Sequence, residues 1–198
     1  MKISPYFLEL LSIDYLYPGQ PEAIEHLETI RQELADKVRE GKGAVSPERF
    51  RLMTLFVPPM YLMGALERIY QEHGAVSVVE PLFTRWAEGR LDPTKPLESV
   101  ARKSYLIPER CTMYGPLGGK TIKDVVDCAE QYKVDGAIYW AFMGCRHTCA
   151  TVKVFKDALN EVDVPVLTVD CDIVDPTINS EGEIQEKLEQ FFELLEDR

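Results

Sequence analysis

Gly136-Ala137-Ile138-Tyr139-Trp140-Ala141-Phe142, with Met143-Gly144-Cys145-Arg146-His147-Thr148-Cys149 directly behind it, decides the fold of this chain. Seven uncharged residues rich in aromatic and branched side chains suit a strand buried on both faces, as in the middle of a parallel sheet. Runs of the same character lie at 51–57, 75–80 and 164–170. Between them the apolar spacing changes to threes and fours at 62–73, 95–105, 121–132 and 148–161, with a last helical pattern at 181–196. Strands alternating with helices imply crossover connections. The reading is therefore α/β: a flavodoxin-like (Rossmann-like) three-layer sandwich on a parallel four-stranded sheet.

Upstream, Pro18-Gly19-Gln20-Pro21 turns into an amphipathic pattern. Ile24, Leu27, Ile30, Leu34 and Val38 recur at helical spacing until Gly41 and Gly43 stop it. This predicts an N-terminal helical arm over 1–48 packed on a flavodoxin-like domain over 49–198. A length of 198 residues, 45% of them hydrophobic and 28% charged, fits one such domain with an arm and excludes two full-sized ones.

Charge and cysteine content narrow the function. Twenty-two Lys and Arg against 33 Asp and Glu leave a net charge of −11, which opposes phosphate backbones and anionic membranes, so no nucleic-acid or membrane partner is expected. The longest apolar stretch, 134–145, is far short of the roughly 20 residues of a membrane span. The five cysteines are an odd number, and the chain opens without a basic segment followed by an apolar run. Reduced thiols and a cytoplasmic location are the expectation.

Ligands in such folds sit beyond the C-terminal ends of the strands. Four loops qualify there: Pro58-Pro59-Met60-Tyr61, the segment 81–86 with Thr84 and Arg85, the segment 143–149, and the segment 171–176. Cys145, Pro58, Thr84 and Asp172 should share one edge of the sheet. In the third loop Gly144 is read as permitting a sharp turn, and Arg146 and a helix N-terminus beside Cys145 both favour the thiolate. The competing reading is a small buried filler. Cys149 follows one helical turn later and could face the same side. His147, two positions from each cysteine, points elsewhere, so a zinc site from these three is not expected. Cys128 falls on an apolar stripe with Val125 and Ala129, and Cys111 is undetermined.

Two further patterns are weaker. The segment 115–121 resembles a phosphate-binding loop, but Tyr114 stands where a glycine is required and no strand precedes it. Thr121 with Asp124 reads instead as a helix cap and an acidic first turn. Asp170, Asp172 and Asp175 suit turn formation and capping better than magnesium.

Taken together, Gly144-Cys145-Arg146-His147-Thr148-Cys149, the run from Val164-Pro165-Val166 to Asp170-Cys171-Asp172, Asp175-Pro176, Glu181-Gly182-Glu183-Ile184 and Leu188-Glu189-Gln190-Phe191 closely resemble the C-terminal half of the 2-hydroxyacyl-CoA dehydratase and benzoyl-CoA reductase subunit family. Glu48-Arg49-Phe50-Arg51-Leu52 and Pro58-Pro59-Met60-Tyr61 fit the same alignment.

The resemblance implies a [4Fe-4S] cluster held between two flavodoxin-like halves, with Cys145 as the ligand from this half. Cys149 and Cys171 are possible additional ligands, and Pro58, Thr84, Arg85 and Arg146 are candidates for the substrate pocket. It implies radical elimination of water from a 2-hydroxyacyl-CoA, or reduction of an aromatic acyl-CoA. The implied partners are an ATP-dependent activator protein, the missing N-terminal half or a second dehydratase subunit, and an acyl-CoA substrate. A family subunit is about twice this length, so the chain alone is expected to hold an incomplete cluster or none and to be inactive. The alternative is a non-catalytic flavodoxin-like binding or assembly module that has lost the cluster-binding half.

Overall fold

The computed structural model describes residues 20–81, 92–106 and 120–198. The expectations for Thr84, Arg85, Cys111, the start of the arm and the glycine-rich segment 115–119 lie outside the described residues.

In chain order the elements are α1 (Pro21–Arg39), β1 (Phe50–Leu55), a 3-10 turn (Met60–Leu62), α2 (Met63–Glu72), β2 (Ala75–Val79), α3 (Pro96–Leu106), α4 (Lys120–Tyr132), β3 (Gly136–Phe142), α5 (Arg146–Asn160), β4 (Val166–Cys171) and α6 (Glu181–Glu196). The strands form one sheet in the order β2-β1-β3-β4, and every pairing is parallel. This is the expected three-layer α/β sheet with a helical arm. Among the described residues no helix is long and apolar enough to cross a membrane.

Pleating sorts each strand between two cores. Ala137, Tyr139 and Ala141 of β3 pack with Val125 of α4 and Phe155 and Leu159 of α5. Ile138 and Trp140 face the opposite side, among Leu66 of α2 and Leu188 and Phe192 of α6. All five strand residues are at most 1% exposed, which is why the run carries no polar alternation. Gly136 is required by space: a Cβ there would lie 2.8 Å from the Phe191 ring, so the glycine lets α6 approach the sheet. α6 itself starts on a capping box, in which Glu183 N–H donates to Ser180 Oγ (3.2 Å) and Ser180 N–H to Glu183 Oε2 (2.9 Å).

Several boundaries differ from the sequence reading. β1 stops at Leu55, because Phe56 turns into the left-handed region at φ 63°. β4 starts at Val166 and runs to Cys171, so Cys171 is the last residue of the strand and does not follow it. α5 starts at Arg146, two residues before the expected 148, which makes Cys145 its N-cap. α4 starts at Lys120, so Thr121 lies within the helix, buried, and does not cap it; Asp124 is also buried and pairs with Lys120 Nζ at 2.5 Å. The apolar stripe of α1 is only partly covered. Ala23 and Ile30 are buried, whereas Ile24, Leu34 and Val38 are 56%, 42% and 78% exposed.

Candidate functional site

The order β2-β1-β3-β4 reverses its direction of growth between β1 and β3, and the C-terminal ends of those two strands border the crevice where ligands of open α/β sheets bind. From β1 the chain leaves through Phe56. A phenylalanine at φ 63° is a sparsely populated backbone state, held here by ring contacts: Tyr139 at 5.1 Å between centroids, Phe155 at 6.2 Å and His147 at 6.3 Å. Pro58 and Pro59 follow, both buried. Met60 N–H then donates to Ile173 O (2.9 Å), tying the β1 exit to the β4 exit.

The β3 exit carries the thiols. Cys145 N–H donates to Phe142 O (2.9 Å), closing a tight turn over Met143 and Gly144. Gly144 is needed here for a different reason than a left-handed turn. A Cβ would sit 2.7 Å from the Phe142 ring, so the residue is small because the ring folds over it. Cys145, half-buried, then caps α5, with Arg146 exposed on the first turn.

A lattice of buried hydroxyls anchors that turn. Thr148 Oγ1 donates to Phe142 O (2.9 Å), Tyr139 Oη donates to Thr148 O (2.6 Å), and Tyr139 Oη meets Thr151 Oγ1 at 2.6 Å. Burial holds the Tyr139 phenol far above its ordinary range, so it stays protonated as a donor. The position of Cys145 therefore rests on Phe56, Tyr139, Thr148 and Thr151, which sequence reasoning did not single out. The usable signal was the pair Thr148 and Thr151, three apart on α5 and so on one side of it.

The remaining candidates separate. Cys149 is exposed, and its Sγ donates to Phe142 O at 3.4 Å, so it leans back over the end of β3. His147 shares the first turn but turns its ring to Phe56, with Nε2 buried and unpartnered. Cys171 is fully buried in the α2/α6 core, and burial pushes its thiol up to about 11, with Asp172 and Asp170 adding to the shift. Cys128 is buried on the α4 side, as its stripe predicted.

Asp172 Oδ1 accepts from Val174 and Asp175 N–H (2.9 Å each), and Asp175 Oδ1 accepts from Thr177 Oγ1 (2.7 Å) and N–H (2.9 Å). The Thr177 hydroxyl and amide hold the Asp175 carboxyl below its usual range. Both carboxylates thus build the turn after β4. Tyr61 reaches over this loop towards Asn179 O (3.5 Å), and burial, with Cys171, Asp172 and Asp175 nearby, raises its phenol.

The parallel strands put Pro58, Cys145 and Asp172 on one edge, as expected, and Cys145 is the half-buried thiol of that edge. Three thiolates converging on a cluster are not found among the described residues, where no three His, Cys, Asp or Glu side chains group as metal ligands. The described cysteines do not by themselves fit a cluster.

The family model for the 2-hydroxyglutaryl-CoA dehydratase D-component matches residues 2–195. A benzoyl-CoA reductase subunit of Thauera aromatica is 23% identical over an alignment that covers 92% of this chain and 44% of the relative. The chain thus matches less than half the length of that curated relative. With a match across nearly its whole length and a sheet edge that carries Cys145 at the head of α5, the chain belongs to the 2-hydroxyglutaryl-CoA dehydratase D-component family.

Proposed function

We propose that this chain is one half of a subunit of an iron–sulfur-dependent 2-hydroxyacyl-CoA dehydratase, or of the related aromatic acyl-CoA reductase, working in the cytoplasm, and that Cys145 contributes one cluster thiolate. The observation that carries this reading is the placement of Cys145: half-buried, at the head of α5, on the edge of the sheet where ligands of such folds bind. The family match and the benzoyl-CoA reductase relative support the reaction class.

Cysteine thiolates are the usual ligands of iron–sulfur clusters, and a cluster supplies single electrons at a potential set by its surroundings. This chain's own residues hold Cys145 in place through Tyr139, Thr148 and Thr151, and Arg146 presents a cation at the same turn. Pro58, Thr84, Arg85 and Arg146 are proposed to border the acyl-CoA pocket. The remaining thiolates come from the missing N-terminal half or a second subunit, and the electron comes from an ATP-dependent activator. Cys149, exposed beside the same turn, is the additional ligand nearest to hand, whereas the Cys171 side chain is turned into the α2/α6 core.

A second reading, a non-catalytic flavodoxin-like binding or assembly module, draws on the lack of a converging ligand set among the described residues. Anaerobic reconstitution with iron and sulfide, read by visible absorption and EPR, tests both. The chain alone should take up well under one cluster per chain and remain inactive, co-expression with the missing half should restore a full cluster, and Cys145→Ser should abolish it. Full incorporation that survives Cys145→Ser refutes the role of this thiol; no incorporation with any partner half favours the module.

A further inference from the structure

β4 ends the sheet on one side, and its ladder to β3 shows which backbone groups are spent. Pro165 O accepts from Ala137 N–H (2.9 Å) and Cys171 O from Met143 N–H (3.0 Å). Backbone groups of successive strand residues point to opposite sides, so those of Leu167 and Val169 also face β3. The N–H and C=O groups of Val166, Thr168 and Asp170 point away from the sheet, and among the described residues no strand pairs with them.

This edge carries few of the devices that usually blunt one, Asp170 being its one charged residue. The β3–β4 register runs without a shift from Ala137↔Val166 to Phe142↔Cys171, and neither proline nor lysine interrupts β4. A groove of about 390 Å³ lies along it, lined by Val166 and Leu167 with Leu194 and Lys187 of α6 and Lys156 of α5. Thr168 Oγ1, at the middle of the strand, is buried and has no hydrogen-bond partner. A buried hydroxyl left unmatched costs free energy.

We propose that two copies of this chain pair antiparallel along β4, about a two-fold axis at Thr168, and join their sheets into one of eight strands. The register follows from the outward groups. An antiparallel pair places outward-facing residues opposite one another, so Thr168 meets Thr168 of the partner subunit and Val166 meets Asp170 of the partner subunit. The central threonines then stand as a cross-strand pair.

A two-fold axis normal to the sheet keeps each face on its own side. Val166 packs on the α5 face, and Thr168 and Asp170 alternate with it onto that face. Asp170 of the partner subunit therefore arrives beside the groove that Val166 and Lys156 both line. None of the described ion pairs engages Lys156 or Asp170, so the pairing is charge-complementary twice over, by symmetry.

The helix layers leave room. α4 and α5 cover one face and α2 and α6 the other. Two helices about 10 Å apart span roughly the width of four strands at about 4.8 Å spacing, so the helices of the two copies lie side by side.

Sedimentation of the 198-residue chain at about 100 μM should give twice the chain mass of 22.6 kDa. Thr168→Cys treated with diamide should trap the dimer, because facing Cα atoms about 5.5 Å apart are within disulfide reach, while the wild-type chain with its native cysteines should not cross-link. Lys156→Glu and Asp170→Lys should each weaken dimerisation about tenfold, and combining them should recover it to within about threefold. Circular dichroism on each variant should show an intact fold. A monomer at this concentration, as expected if the edge instead takes a strand of a different protein, overturns the proposal. So does a dimer that Thr168→Cys fails to trap, or charge variants that do not rescue one another.

Discussion

Cys145 and Cys171 stand at the ends of neighbouring parallel strands, on the same edge of one sheet, and their surroundings are opposite. Cys171 is the last pleated residue of β4, and alternation with Val169 carries its side chain into the α2/α6 core, where it is 0% exposed and its thiol is pushed up to about 11. Cys145 is separated from β3 by the turn at Met143 and Gly144, which releases it from the pleat and makes it the half-buried cap of α5. Three residues past a strand end are enough to decide between core and edge, because the turn frees the side chain from the alternation of the pleat.

Alkylation is the most direct way to break this contrast. Iodoacetamide at pH 8 should modify exposed Cys149 readily, while Cys171 and Cys128 should react at least about a thousandfold more slowly, since their exposure requires the core to open. Peptide mass spectrometry over time reads the rates. If Cys171 kept pace with Cys149, its burial would be wrong.

Packing around the buried thiol gives the next largest effect. Leu188→Ala, at a fully buried position in the same core as Cys171, should cost about 2–5 kcal/mol in urea unfolding. Arg146→Ala, beside Cys145 and exposed, should stay within about 0.5 kcal/mol.

The end of β2 extends the comparison to a carboxyl. Burial raises Glu80 from 4.5 to about 7. Between these values the folded chain binds a proton that the unfolded chain has released. The contribution of this group is therefore full below about pH 4.5, declines as pH rises towards 7, and levels off above it, by on the order of 3 kcal/mol. Urea midpoints taken from pH 4.5 to 8 should show the decline, and Glu80→Gln should flatten it.

The finest test exchanges sulfur for oxygen at both thiols. Cys171→Ser puts a hydroxyl into the α2/α6 core and should cost about 1–3 kcal/mol, against less than about 0.5 kcal/mol for Cys145→Ser. Equal losses would erase the distinction between the two strand ends.

Much of this was legible beforehand. The run 136–142 emerges as β3 with both boundaries as read, because an uncharged segment rich in aromatic and branched side chains suits a strand buried on both faces. Asp172 and Asp175 are turn acceptors, as short carboxylates beside Pro176 suggest. The start of α5 was missed by two residues, since Arg146 and His147 offer no cap signal and the helix begins where Tyr139, Thr148 and Thr151 pin it. In α1 the apolar stripe is real in the sequence, but periodicity says only which residues share a side of the helix. Whether Ile24 and Val38 meet a partner is settled elsewhere in the fold.

By itself the sequence determined the class of the fold, the parallel arrangement and the edge on which Cys145 lies, since these follow from local patterns of apolar residues and from the chirality and length of crossover connections. Only the tertiary structure decided that Cys171 faces inward, that Phe56 is held at φ 63° by Tyr139, Phe155 and His147, and that Thr168 stands on a strand that no other described strand pairs on its far side. Each of these depends on atoms brought together from distant parts of the chain, and no local pattern encodes which neighbour arrives.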